Sequence, residues 1–131
     1  MKSLDPDTMP APFGDYSHGI AAPGGLIVTS GQLGLAPDGT VPRDVCGQAE
    51  LCFANIHAIL ARAGADFSHV LRFTAFVTRR EDMAAYMAVR DRWVQGLTVK
   101  PASTLLIVSG FTRAEFLVEI EAMALVPSPP D

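Results

Sequence analysis

Two stretches of helical periodicity, separated by β-rich runs, most constrain the fold of this chain. Between residues 44 and 63, apolar side chains recur at every third or fourth position, which predicts an amphipathic helix. Asp44 is of the residue type that caps helix N-termini, and Gly64 is suited to end the helix. The helix also carries polar residues that we expect to face water, Gln48, Asn55 and Arg62.

A second helix is predicted over residues 82–97, before Pro101, whose ring cannot lie in a helix interior. Its stripe consists of Met83, Tyr86, Met87, Arg90, Trp93, Val94 and Leu97. Four runs rich in β-branched and apolar residues predict strands at 26–31, 70–78, 102–108 and 117–126. In the second run, alternation predicts one shared face for Leu71, Phe73, Ala75 and Val77.

The order of these elements predicts a two-layer α+β domain, in which two helices cover one face of a mixed sheet of about six strands. We expect a single domain over residues 1–131, with an irregular N-terminal arm at 1–10 and a loose tail at 127–131. The chain is 49% hydrophobic, so the uncovered sheet face should carry apolar residues. Because such a face is most often buried between identical subunits, we predict a homo-oligomer.

The charge of the chain argues against nucleic acid as a partner. The net charge is -4 and no basic run occurs, whereas phosphate binding requires clustered Lys and Arg. No apolar run approaches membrane-spanning length, and the first residues lack the apolar segment of a signal peptide. We therefore expect a cytoplasmic protein without a membrane partner.

The cysteines and histidines point to neither a disulfide nor a metal site. Cys46 and Cys52 are separated by about 240° of helical rotation, so we expect two buried, unpaired thiols. The three histidines and two cysteines show no metal-ligand spacing. The sequence therefore predicts no metal.

Glu119 and Glu121 are the leading candidates for chemistry. Alternation places both carboxylates on one face of an apolar strand, about 7 Å apart. We expect each carboxylate to raise the pKa of the other and burial to raise both, and a carboxyl group with a raised pKa is suited to general acid–base catalysis. The alternative is a solvated strand face with two ordinary carboxylates.

Two further segments carry groups suited to contact a small molecule. At the strand end formed by residues 29–32, Gly31 permits close approach of a ligand to the backbone, and the alternative is an ordinary bulge. In the loop at 14–19, Tyr16 offers a hydroxyl, and His18 is the histidine best placed for proton transfer near neutral pH. The alternative for His18 is an ordinary surface residue.

The order of these motifs resembles that of the reactive-intermediate deaminase family (Rid, YjgF-like, endoribonuclease L-PSP-like). Residues 11–18 resemble its N-terminal loop, and residues 28–32 match its Thr-Ser-Gly-Gln strand end. Residues 100–102 match the Lys-Pro-Ala that precedes its active-site strand, and residues 117–122 match its C-terminal Val-Glu-Ile-Glu-Ala motif. The resemblance runs from about residue 11 to residue 126.

The resemblance implies a bacillus-type, chorismate-mutase-like α+β fold and a homotrimer with sites in the clefts between subunits. It implies hydrolysis of reactive enamines and imines to ketones and ammonia, with no metal or organic cofactor. By position, Glu119 would hold or activate the attacking water, Tyr16 would orient the substrate, and Glu121 would be a structural neighbour. The resemblance also places eight residues against a small-molecule substrate: Phe13, His18, Ser30, Gly31, Met87, Ser103, Thr104 and Leu105.

One departure from the family bears on the substrate. Deaminating members carry an arginine after the Pro-Ala, which binds the substrate carboxylate, and this chain has Ser103 there. A hydroxyl cannot replace a bidentate cation, so we expect a substrate other than a small 2-imino acid. Arg72 and Arg113 are the candidates for a replacement cation, and the alternative for both is a solvated surface.

Two functions of different classes follow. The first is an enzyme that hydrolyses another enamine or imine, favoured by Glu119, Tyr16 and Gly31. The second is a binding or regulatory trimer that keeps the cleft without the chemistry, favoured by Ser103 in place of arginine. A ribonuclease, an activity attached to relatives, is disfavoured by the acidic charge.

Overall fold

The computed structural model describes residues 1–127, in which one sheet carries two helices on one of its faces. The elements are β1 (Lys2–Ser3), β2 (Gly19–Ala21), β3 (Leu26–Thr29), β4 (Gln32–Leu33), α1 (Val45–Ala61), β5 (Val70–Val77), α2 (Met83–Val94), β6 (Ala102–Ile107) and β7 (Val118–Leu125). Short 3-10 turns at Phe67–His69 and Arg80–Asp82 lead into β5 and α2. Neither helix within these residues is long and apolar enough to cross a membrane.

The sheet is mixed, as predicted. Its strand order is β1-β2-β3-β7-β5-β6, and β4 also pairs with β7. The β5–β6 pair is parallel and the other pairs are antiparallel. Together with the two helices on one face, this confirms the α+β prediction.

The described residues form seven strands rather than about six, and three short ones, β1, β2 and β4, lie outside the four predicted runs. One of them, β1, pairs with β2 and is followed by the fully buried Leu4, so the segment 1–10 begins with a strand packed on the sheet. Pro127 is the only residue of the predicted tail, 127–131, that lies within the described part of the chain.

Helix α1 begins and ends as its sequence predicts. The Asp44 side chain accepts a hydrogen bond from the Gly47 amide at 2.8 Å and caps the N-terminus. Gly64 has a φ of 71°, a left-handed conformation that favours glycine after a helix. The helix packs eight buried residues against the sheet: Val45, Gln48, Ala49, Cys52, Phe53, Ile56, Ile59 and Leu60.

The prediction that Gln48 faces water is wrong. Its side chain is fully buried, and its amide nitrogen donates to the carbonyls of Pro42 and Glu115 at 2.7 and 2.8 Å. Its amide oxygen accepts from the Leu117 backbone at 2.8 Å. Gln48 is buried because it satisfies loop backbone groups that no strand or helix pairs. Of the other two predicted polar positions, Arg62 is exposed and Asn55 is half-buried.

The predicted shared face of β5 holds for three of its four residues. Phe73, Ala75 and Val77 are buried, whereas Leu71 is 46% exposed. The pairing with β7 shifts register between Val70 and Arg72, so Leu71 is the extra residue of a bulge and its side chain turns outward.

The two faces of the sheet differ in what covers them. On β7, the helix-side residues Val118, Ile120, Ala122 and Ala124 are buried. The alternate residues of β7 lie on the face without helices, here called the open face: Glu119, Glu121, Met123 and Leu125. Leu26 and Val28 of β3 and Leu106 of β6 are also exposed. The open face therefore presents both apolar side chains and carboxylates.

Candidate functional site

A cavity of about 160 Å³ lies between the N-terminal loop, the β3–β4 connection and the start of β7. Five sequence-predicted residues line it: Phe13, Tyr16, His18, Gly31 and Glu119. Asn55 of α1 and Thr112 of the β6–β7 connection also line it, and sequence reasoning did not predict either contact. Asn55 and Thr112 belong to elements that are distant from the other lining residues in the chain, and no local pattern distinguishes them from ordinary polar residues.

A bulge shapes the floor of this cavity. Val28 pairs with Met123 and Gln32 pairs with Ile120, so the β3–β4 segment has one more residue than the β7 segment that it faces. At the bulge, the Thr29 hydroxyl accepts the Ala122 amide at 3.0 Å in place of a backbone carbonyl. The bulge brings Gly31 against the side chain of Glu119.

Gly31 and Glu119 are in unusually close contact. A Cβ atom added at Gly31 would lie 2.6 Å from Glu119 Cδ and 2.7 Å from Oε1, well inside the normal contact distance. Glycine is therefore required at position 31 for the Glu119 carboxylate to occupy this place.

The Glu119 carboxyl has the electrostatic environment of an acid–base group. It is half-buried, and burial followed by the charge of Glu121 raises its pKa above the usual glutamate range. Glu121 lies outside this cavity, in a separate one on the open face with Arg72 and Thr74. The two carboxylates therefore occupy different surroundings, and Glu119 is the one that faces the cavity bordered by Tyr16.

Tyr16 is 46% exposed at the mouth of the cavity. Its hydroxyl oxygen accepts the Phe13 amide at 3.1 Å, so its proton remains free to be donated to a ligand. Ser30 plays a different part, because its hydroxyl donates to the Ser17 carbonyl at 2.6 Å and its amide to the His18 carbonyl at 2.6 Å. Ser30 thus fixes the loop that carries Tyr16 and does not line the cavity.

His18 is buried, and the alternative of an ordinary surface residue is wrong. Its Nε2 lies 2.8 Å from the Pro10 carbonyl oxygen, and its Nδ1 lies 3.3 Å from the Gln32 amide nitrogen. Both contacts are satisfied when Nε2 carries the proton and Nδ1 accepts from Gln32. The ring therefore ties the N-terminal segment to β4, and both of its nitrogens have protein partners.

The other sequence-predicted residues, Met87, Ser103, Thr104 and Leu105, do not line this cavity. Ser103 pairs with Phe73, which is buried under the helices, whereas Glu119 pairs with Phe76 on the open face. Paired residues of adjacent strands place their side chains on the same face. Ser103 and Glu119 therefore lie on opposite faces of the sheet and cannot meet in one chain.

Ser103 lines a second cavity, of about 550 Å³, between the end of α2 and the start of β6. Arg90 of α2 donates from Nη1 to the Ser103 hydroxyl at 3.2 Å. The predicted replacement cations lie elsewhere: Arg72 contacts Met123 Sδ at 3.5 Å, and Arg113 pairs with Glu115. Arg90 was not predicted, although an arginine within an apolar helix stripe was a signal in the sequence.

The cysteines are unpaired, and Cys46 is half-buried rather than buried. The Cys52 thiol donates to the Gln32 carbonyl at 3.1 Å, and burial, then the charge of Glu119, raises its pKa. Within residues 1–127, no three His, Cys, Asp or Glu side chains are grouped as a metal ion would require.

Known proteins resemble this chain over nearly its whole length. The family model described as Endoribonuclease L-PSP matches residues 7–126. Protein DfrA of Myxococcus xanthus is 37% identical over 127 residues, which cover 95% of both chains. The 2-iminobutanoate/2-iminopropanoate deaminase of Escherichia coli K12 is 31% identical over 126 residues, which cover 95% of this chain and 97% of that protein.

Solved structures show the same fold. The YjgF gene product of Escherichia coli superposes with a TM-score of 0.88 at 30% identity, covering 95% of this chain and 98% of that chain. Escherichia coli TdcF with bound serine also gives a TM-score of 0.88, at 28% identity with the same coverage.

Proposed function

Because this chain belongs to the Rid (endoribonuclease L-PSP) family, we propose that it is a cytoplasmic deaminase, a hydrolase that converts an enamine or imine to a ketone and ammonia. The observation that carries this proposal is the Glu119 carboxyl, half-buried against Gly31 in a cavity that Tyr16 borders.

The reaction adds one water to the C=N carbon and moves both of its protons to the nitrogen. After an enamine tautomerises to its imine, water adds to the C=N carbon while the Glu119 carboxylate accepts one proton from that water and passes it to the imine nitrogen, which gives a neutral carbinolamine. Glu119 then accepts the carbinolamine hydroxyl proton and delivers it to the amino nitrogen as the C–N bond breaks, so that the ketone and ammonia leave and Glu119 is a carboxylate again. A carboxylate whose pKa is raised by burial is a stronger base than an ordinary glutamate, so it is suited to accept a proton in each step and to pass it on.

The site is proposed to lie between subunits of a homotrimer. The predicted site has two halves, one around Glu119 and one around Ser103, which face opposite sides of the sheet. The Glu119 half of one chain can therefore meet only the Ser103 half of a second chain. The apolar residues of the open face supply a surface for such an assembly. In that cleft, Tyr16, Phe13 and Gly31 would contact the substrate from one chain, and Ser103 and Leu105 from its neighbour, with Met87 and His18 behind them. The predicted contact of Thr104 is not part of this half, because Thr104 pairs with Thr74, the partner of Glu121, and its side chain lies on the open face.

The substrate is proposed to be larger than a small 2-imino acid. The position at which deaminating relatives carry arginine on this strand is Ser103, a neutral hydroxyl. An unsaturated amino compound of the aminomuconate type fits the more apolar pocket that Leu105 and Met87 predict. Neither a metal nor an organic cofactor is needed for this hydrolysis.

A non-catalytic trimer that binds or senses a small molecule is the second candidate. Ser103 favours it, because replacing a bidentate arginine by serine weakens binding of a transition state but leaves the fold intact. Ribonuclease activity fits less well, because the chain has a net charge of -4.

Ammonia release from enamines generated in situ tests the proposal. Wild-type protein should accelerate it with an aminomuconate-type substrate and less with 2-aminoacrylate. Glu119→Gln should lower the rate by about 10²–10⁴-fold, the usual contribution of a general acid–base group. Glu121→Gln is the matched control, since Glu121 lies outside the cavity, and should keep most of the activity. If wild type accelerates neither substrate, the binding or regulatory function takes precedence.

A further inference from the structure

We propose that the cavity between α2 and β6 binds the carboxylate of the substrate, with Arg90 as the cation and Ser103 as its hydroxyl neighbour. This inference rests on the proposed function in one respect only, namely that the bound carboxylate belongs to the substrate. Binding of a carboxylate at this place does not require the reaction.

The Arg90 guanidinium is held in place and keeps unused donors. Its side chain is 22% exposed, Nε and Nη2 donate to Asp91 Oδ1 at 3.0 and 2.9 Å, and Nη1 donates to Ser103 Oγ at 3.2 Å. These contacts use three of its five N–H groups, so two have no partner among residues 1–127. A fixed guanidinium with two free N–H groups is prepared for a planar, two-oxygen acceptor.

The charge around the cavity favours an anion. Arg90, Arg92 and Lys100 line it against one carboxylate, Asp91. A cavity lined mainly by one sign of charge concentrates ligands of the opposite sign. The cavity therefore selects for a negative group.

Among the three cations, Arg90 is the one suited to bind directly. Lys100 Nζ donates to the carbonyls of Val94, Gln95 and Leu97 at 2.8, 3.0 and 2.9 Å, which uses all three of its donors. Arg92 pairs with Glu50 at 2.7 Å, and its side chain is 61% exposed. Lys100 and Arg92 therefore contribute charge, while Arg90 contributes both charge and hydrogen bonds.

A buried hydroxyl beside Arg90 has no partner of its own. Tyr86 is fully buried, and its hydroxyl lies near the Ser103 side chain but makes no hydrogen bond of normal geometry within residues 1–127. Its ring lies 6.0 Å from the Arg90 guanidinium, and burial raises its pKa to about 12, so it stays protonated. An unpaired buried hydroxyl is costly, and it leaves a donor next to the Ser103 side chain.

The small side chain of Ser103 is what keeps Arg90 accessible. Ser103 and Arg90 face the same cavity, and a long side chain at 103 would fill the space in front of the guanidinium. We infer that the cation missing from β6 is supplied from α2, displaced toward the helix layer. The site would then accept a carboxylate at a different distance from the reacting carbon, in keeping with a larger substrate.

Direct binding of 2-oxobutanoate, a stable ketone with a carboxylate, tests the inference. Titration followed by NMR or calorimetry should show saturable binding to wild type, and Arg90→Gln should weaken it at least about tenfold, as expected for loss of hydrogen bonds to a charged group. Arg90→Lys should bind with an affinity between those of wild type and Arg90→Gln, because lysine keeps the positive charge but cannot make the two parallel hydrogen bonds of a guanidinium. Arg80→Gln, which removes an exposed arginine that does not line this cavity, is the matched control and should bind as wild type does.

Several outcomes would overturn the assignment. These are no binding to wild type, equal binding to Arg90→Gln, an equal loss in the Arg80→Gln control, or tighter binding of inorganic phosphate than of the carboxylate. Thermal unfolding of each variant separates lost binding from lost folding, since the Arg90 side chain is part of a surface cavity and its removal should leave the core intact.

The same variants separate this inference from the proposed function. Glu119→Gln should still bind 2-oxobutanoate, because Glu119 is proposed to act at the C=N carbon and Arg90 at the carboxylate. If binding depends on Arg90 but the protein releases no ammonia, the carboxylate site stands and the deaminase function is wrong. If Arg90→Gln releases ammonia with an unchanged KM, the deaminase function stands and the role of Arg90 is wrong.

Discussion

The Glu119 carboxyl is positioned by a residue without a side chain. Alternation along β7 predicted that Glu119 and Glu121 share a face, and the structure places both on the open face. It did not predict that only Glu119 faces the cavity, since that depends on a bulge formed with a strand about 90 residues earlier. Local periodicity gives the direction of a side chain but not what approaches it.

The raised pKa of Glu119 predicts a pH-dependent difference in stability. The folded chain binds this proton more tightly than the unfolded chain, so the stabilisation is complete below the unfolded pKa of about 4.3 and is lost as pH rises through the higher folded pKa. Glu119→Gln, neutral at every pH, should therefore become more stable relative to wild type as pH rises above about 4.3.

Urea unfolding of both proteins at matched concentration, at several pH values from 4 upward, measures this difference. A difference in unfolding free energy that stays constant with pH would contradict the raised pKa. Glu121→Gln provides the comparison for loss of a carboxylate outside the cavity.

At the scale of elements, periodicity and caps predicted both helices and the four long strands. Apart from β2, which pairs with the adjacent β3, the missed features depend on distant partners. Gln48 looked like a water-facing residue on α1, yet its partners Glu115 and Leu117 are 67 and 69 residues away. The two-residue strands β1 and β4 are likewise too short for a pattern, and only their pairing defines them.

Gln48 is predicted to hold α1 to the two loops beside it. Gln48→Ala would leave the Pro42 and Glu115 carbonyls and the Leu117 amide without this partner, at a cost of about 3 kcal/mol of unfolding free energy. The exposed Gln95→Ala is the matched control and should change stability by less than about 0.5 kcal/mol. Chemical denaturation of both variants measures the effect, and equal stabilities would show that water replaces the Gln48 amide.

At the scale of the molecule, the open face determines the predicted assembly. Leu106 lies on this face, because it pairs with Phe76, the partner of Glu119, and it is 47% exposed. The sequence predicted self-association from the number of apolar residues, but which residues meet in the assembly depends on surfaces that no single chain defines.

Leu106→Asp should dissociate the assembly without unfolding the chain. A buried, unpaired carboxylate at a subunit interface is strongly unfavourable, whereas in the isolated chain it would face water. Sedimentation of wild type at micromolar concentration should give three times the chain mass of 13.9 kDa, and the variant should give the chain mass itself, with unchanged circular dichroism. Ala54→Asp, on the exposed side of α1, is the control and should assemble normally. Wild type that sediments as a single chain would exclude the intersubunit site.

The opposite orientation of Glu119 and Ser103 also has a genetic consequence. In a closed ring of three, each chain would contribute its Glu119 half to one cleft and its Arg90 half to another. Chains defective in only one half, when produced together with chains defective in only the other, would form some clefts from two intact halves. Two separately inactive alleles would therefore restore part of the function in a cell that carries both.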